Sequence, residues 1–180
     1  MLRAVRASTV LFGLFLLTLA PARAASDPEN TLYLDAPAGR VVIELRPDLA
    51  PKTVARIKEL TRRGFYDGLT FHRVIDGFMA QTGDGQYGNG TGGSKYPSLK
   101  AEFSNVPYKR GIVGMARTSD PNSANSQFFI MFDKGDFLNG KYTVVGEVVR
   151  GMDVVDKLKR GEPPSNPDKI VKAQVAADIK

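Results

Sequence analysis

Residues 71–84 read FHRVIDGFMAQTGD, and this stretch decides the fold. Two runs of strand-forming residues, 70–75 and 78–82, flank Asp76-Gly77, a tight-turn dipeptide, so the segment predicts a β-hairpin. Arg73 stands in it among large apolar residues, with no serine or cysteine nearby to serve as a nucleophile. The chain's single imidazole, His72, is its direct neighbour. Adjacent strand residues point to opposite faces, so His72 is expected on the far face in a structural role. A cation on an apolar wall, with no carboxylate two residues away, suits electrostatic work on a bound ligand. The plainer reading is a surface arginine laying its stem over core residues.

Outward from the hairpin, the pattern stays short-stranded. Residues 32–35 and 40–45 form β-rich runs joined by a turn at 36–39. Pro51 opens a helix with Val54, Ile57, Lys58, Leu60 and Thr61 at helical spacing, and Gly64 is placed to end it. Further strands are expected over 111–117, 127–132, 142–149 and 170–175, and a second short helix over 152–159. Eight strands and two helices without repeat or linker predict one mainly β domain, an antiparallel barrel or sandwich with helices at its ends. On strand 127–132, Phe128 and Ile130 have opposite parity to Phe129, so they face the other side of the sheet from it.

Several motifs fail on their mechanics. Residues 83–93 contain six glycines in eleven positions and match G-x-G-x-x-G, but no helix follows to meet a pyrophosphate. Residues 135–142, GDFLNGKY, miss a phosphate-binding loop because Tyr142 replaces the small hydroxyl residue and a strand follows. One histidine and no cysteine leave no recognisable metal site and exclude disulfides.

Arg3 and Arg6, the apolar run 10–20 and Ala22-Arg23-Ala24 fit a cleavable export leader over residues 1–24, leaving a single domain over 25–180. Export to the periplasm or outside the cell is expected, with no stable membrane association after cleavage. Net charge falls from +6 to +3 once the leader's three arginines are removed. The remaining cations are interspersed with acids, which argues against nucleic acid as a partner.

The motifs taken together resemble the cyclophilins, the peptidyl-prolyl cis-trans isomerases, and among them the bacterial exported members. The resemblance rests on FHRVI at 71–75, GFMAQ at 77–81, NGTGG at 89–93, GIVGMA at 111–116, Pro121-Asn122, SQFFI at 126–130, Phe137-Leu138 and Gly140-Lys141. It spans residues 31–179 and implies a closed eight-stranded antiparallel β-barrel capped by two α-helices. It also implies isomerisation of X-Pro bonds in unfolded or folding proteins, with no cofactor or metal; a monomer is expected, although the sequence does not specify the oligomeric state. Arg73 then takes the catalytic position, and Phe78, Met79, Phe129 and Leu138 form the proline pocket. Gln81, Gln127 and the backbone at Ala116 and Arg117 hold the peptide, while Phe137 and Tyr142 complete the rim.

Phe137 stands where many eukaryotic members carry tryptophan, and Tyr142 where they carry histidine. Phenylalanine lacks the indole N–H that donates in cyclosporin binding within the family, so weak affinity for that drug is expected. Arg117, Thr118 and an apparent one-residue extension at 118–120 also depart from the family pattern. A holdase chaperone or a proline-peptide-binding module without catalysis is the other reading of the same groove.

Overall fold

The computed structural model describes residues 27–179; the expected leader and its cleavage point lie outside the described residues. Eight strands form one antiparallel sheet: β1 (Thr31–Ala36), β2 (Gly39–Leu45), β3 (Arg73–Ile75), β4 (Met79–Thr82), β5 (Ile112–Met115), β6 (Phe128–Met131), β7 (Val144–Arg150) and β8 (Lys172–Val175). Their order is β3-β4-β6-β5-β7-β2-β1-β8. Two helices, α1 (Pro51–Arg62) and α2 (Met152–Val155), complete the fold. The expected second helix over 152–159 is therefore a single turn.

The barrel does not close. The sheet curls but stays open, because no ladder joins β3 to β8. β3 has only three residues, and its outer edge is occupied at Val74 by a bridge to Gly161. A bridge between Thr70 and Lys169 crosses near the same seam. The expectation of a closed barrel is corrected to a curled half-barrel.

Strand alternation separates two apolar clusters. Leu34, Ile43, Val74, Ala80, Phe128 and Ile130 pack inside the curl against Val54, Ile57 and Leu60 of α1. Met79, Tyr108, Ile112, Phe129, Met131, Leu138 and Val144 pack on the other face. Phe128 and Phe129 thus serve different cores, as the period-2 geometry of a strand requires.

α1 begins at Pro51, and Ala50 offers no capping side chain. The Glu102 carboxylate substitutes for one, accepting from Lys52 N at 3.1 Å, Thr53 N at 2.9 Å and Thr53 Oγ1 at 2.7 Å. An anion satisfying the first free N–H groups is favoured by the helix dipole. Among the described residues no helix is long and apolar enough to cross a membrane.

Candidate active site

Register builds the site. In the β3–β4 hairpin Arg73 pairs with Gln81; Gln81 pairs with Phe129 of β6; Phe129 pairs with Gly114 of β5. Four neighbouring strands therefore set Arg73, Gln81, Phe129 and Gly114 in one row on the outer face. Gly114 is required there, since a Cβ would collide with the Tyr108 hydroxyl and lie 2.7 Å from Phe129 Cζ. Its absence lets Tyr108 stack on Phe129 at 5.8 Å between centroids, with Tyr142 edge-on at 6.1 Å.

Arg73, Gln81 and Phe129 of this row line a cavity of about 330 Å³. Arg73, Phe78, Met79, Gln81, Ala116, Arg117, Phe129, Leu138 and Tyr142, all grouped at one site by the family resemblance, line it. Phe137 does not. It is 63 % exposed and extends the apolar lip through its ring contact with Phe78 at 5.5 Å. Gln127 also sits behind the wall, lining a neighbouring cavity of about 200 Å³ that shares Gln81, Ala116 and Arg117.

Gln127 is committed to the protein. Its Nε2 donates to Gly90 O at 2.9 Å and Gly92 O at 2.7 Å, and its Oε1 accepts from Gln81 Nε2 at 2.8 Å. The Ala116 N–H likewise donates to Gln127 O at 3.0 Å. Gln127 therefore orients Gln81, and the Ala116 carbonyl remains as the backbone group for a ligand.

Asn89, Gly90, Thr91 and His72 also line the cavity, which the sequence reading missed. The loop they belong to is organised by Asp84, which is 3 % exposed. Its carboxylate accepts from the backbone N–H groups of Gln86, Tyr87, Asn89, Gly90 and Gly92. Burial alone would raise its pKa, but those donors outweigh it and hold the carboxyl far below the usual carboxylate range. An aspartate opening a glycine run was the available signal.

His72 shares the cavity with Arg73, contrary to the opposite-face expectation. The reason is local: residues 71 and 72 precede β3 and lie outside the regular strand, so alternation does not extend to them. The ring is 3 % exposed, and neither nitrogen has a hydrogen bond of good geometry. Burial lowers its pKa; the Asp84 charge and the proximity of Gln127 and the Thr70 backbone oppose that only in part.

Arg73 is not free of carboxylates either. Its Nε donates to Glu162 Oε2 at 2.7 Å, across 89 positions of sequence. Arg117 crosses the other end, stacked over Tyr142 at 4.2 Å and donating to the carbonyls of Lys141, Thr118 and Ser119. The cavity lining contains no carboxylate, serine or cysteine. Among the described residues, no cluster of three or more His, Cys, Asp or Glu could hold a metal. The arrangement offers fixed donors and an apolar wall.

Residues 31–175 match the family model of the cyclophilin-type peptidyl-prolyl cis-trans isomerases. A probable peptidyl-prolyl cis-trans isomerase of Brucella suis is 61 % identical over 171 residues, covering 87 % of each chain. Peptidyl-prolyl cis-trans isomerase B of Escherichia coli is 43 % identical over 129 residues, covering 67 % of this chain and 79 % of its own. Among solved structures, cyclophilin AquaCyp293 from Hirschia baltica superposes with a TM-score of 0.79 at 34 % identity, covering 86 % of this chain and 76 % of its own. A Cryptosporidium parvum cyclophilin-type isomerase, crystallised in the presence of the dipeptide Ala-Pro, gives a TM-score of 0.74 at 27 % identity, covering 81 % of this chain and 98 % of its own.

Proposed function

The chain belongs to the cyclophilin-type peptidyl-prolyl cis-trans isomerases, and on that premise we propose that Arg73 stabilises the twisted amide of a bound X-Pro bond. Rotation about that bond meets a barrier of about 18–20 kcal/mol and relaxes over roughly tens to hundreds of seconds without help. No covalent bond breaks, so no nucleophile or general base is needed. The useful device is a site that favours the twisted state over both planar ones. Twisting removes conjugation and leaves the proline nitrogen able to accept a hydrogen bond.

The observation that carries this reading is the register row. It sets the Arg73 guanidinium two strands from the Phe129 ring, with Gln81 between them. In this reading the proline ring lies on Phe129, Met79, Phe78 and Leu138, while Gln81 and the Ala116 carbonyl hold the flanking peptide. Arginine suits the role because it stays charged and offers a rigid fork of donors. The apolar wall excludes water, which strengthens such a contact at the transition state.

An isomerisation assay on a proline peptide tests it, comparing the wild type with Arg73→Ala. The expected loss in kcat/KM is about 10²–10³-fold, the scale for removing one donor to developing charge. Equal rates at unchanged melting temperature would overturn the catalytic assignment.

We further propose an exported enzyme acting on unfolded or folding proteins, consistent with the leader-like segment 1–24. Cell fractionation with mass measurement of the N-terminus checks this; a chain that retains residues 1–24 and is found only in the cytoplasm contradicts it. Weak cyclosporin binding follows from Phe137, which is exposed and has no N–H to donate. A nanomolar Kd by titration would refute that.

A further inference from the structure

The carboxylate on Arg73 comes from a segment that the signature motifs do not include. Residues 160–164 run along the open edge of β3 and are fastened there at several points. Gly161 N donates to Val74 O, and Val74 N to Gly161 O, each at 2.8 Å. Arg160 Nε donates to Asp76 Oδ1 at 3.0 Å at the hairpin turn, and its guanidinium lies 4.3 Å from the centroid of the Phe132 ring. Gly161 has φ +147°, and a Cβ there would lie 2.6 Å from Pro164 Cα, so only glycine permits this course. The strap is thus built to a fixed path, and Glu162 follows directly on its anchoring glycine.

We propose that Glu162 is a positioning residue for the isomerisation, holding Arg73 by Nε so that its two terminal nitrogens remain the donors for substrate. The geometry fits this division of labour. Glu162 takes Nε alone, and among the described residues no other acceptor bonds the guanidinium. The two side chains are 40 % and 52 % exposed, and an exposed pair of this kind adds little to stability. What it does supply is orientation: a long flexible side chain loses its alternative rotamers before substrate arrives. Orientation paid in advance appears in kcat rather than in substrate affinity.

The inference rests on the catalytic reading of Arg73, and its test separates the two. The variants are Glu162→Ala, Glu162→Gln, Arg73→Ala and the double variant Arg73→Ala/Glu162→Ala, assayed on one proline peptide with melting temperatures alongside. Glu162→Ala is expected to lower kcat about fivefold, with KM within about twofold and no loss of melting temperature. Glu162→Gln, whose amide oxygen still accepts from Nε, should recover most of that loss. In the Arg73→Ala background, removing Glu162 should change nothing further.

A Glu162→Ala enzyme as fast as wild type, or faster, would overturn the proposal while leaving Arg73 in place, provided Arg73→Ala is slow. Equal losses from Glu162→Ala in both backgrounds would also overturn it, because Glu162 would then act independently of Arg73. An Arg73→Ala enzyme equal to wild type would sink both assignments together.

Discussion

A neutral imidazole suits the place of His72, enclosed beside the cavity and next to the Arg73 guanidinium. Burial is the main cause of its lowered pKa, so the folded protein disfavours the imidazolium. The unfolded chain has an ordinary histidine, titrating near about 6.5. Between the folded value and that one, the unfolded state binds more protons, so stability rises with pH through that window. Stability is therefore expected to fall as pH drops below about 6.5, and the slope above about pH 5.5, beyond the carboxylate range, should be much reduced in His72→Asn. Denaturation midpoints from about pH 5.5 to 7.5 check this, since the chain has no other histidine. Identical slopes in both proteins would refute it. The same pair of residues marks the limit of local reading. The apolar company of Arg73 singles it out but fits a plain surface arginine equally, and only the family resemblance gives it a role; parity, for its part, cannot be carried to a residue outside the ladder. Glu162, 89 positions away, left no trace in the pattern around Arg73.

Among the elements, the loop over 83–93 acts on the groove through a relay. Asp84 gathers five backbone N–H groups, the carbonyls of Gly90 and Gly92 then accept from Gln127, and Gln127 accepts from Gln81. Gly92 must be glycine, since a Cβ would collide with Asp84 Oδ1. Removing the carboxylate leaves five part-buried donors without their acceptor, each costing roughly 1–3 kcal/mol when left unmade and less where water reaches it. Asp84→Ala should therefore lose about 3 kcal/mol of stability by denaturant titration and also lower kcat/KM. Lost stability with undiminished kcat/KM would show that the relay stops short of Gln81. Because the folded pKa is depressed, this contribution is present above about pH 3.9 and fades as pH falls through the lower folded value, well below the histidine window. Glycine density announced an irregular loop in the sequence. Its order could not be read there, because one carboxylate meeting donors two to eight residues ahead has no periodicity.

At the scale of the whole molecule, the sheet is a partition. Strand alternation was legible, and it set Phe128 and Ile130 on one face and Phe129 on the other, with the family resemblance saying which face is the groove. Closure was not legible, because it depends on which segment reaches the outer edge of β3, and local patterns do not state that. The partition gives the two cores different duties. Ile130 is fully buried in the inner core, while Phe129, one residue away, faces the cavity. Ile130→Ala should cost about 2–5 kcal/mol of stability, the usual range for such a truncation in a core that cannot collapse. Assayed below its melting transition, however, it should keep kcat/KM within about twofold, because the register row it leaves untouched is on the other face. Phe129→Ala should lower both stability and kcat/KM, as it removes a packed ring and the floor of the proline pocket together. The comparison is made at a temperature where both variants are folded by circular dichroism. An equal loss of kcat/KM in the two would mean that strain crosses the sheet, and that the inner core sets the groove geometry as directly as the groove's own residues do.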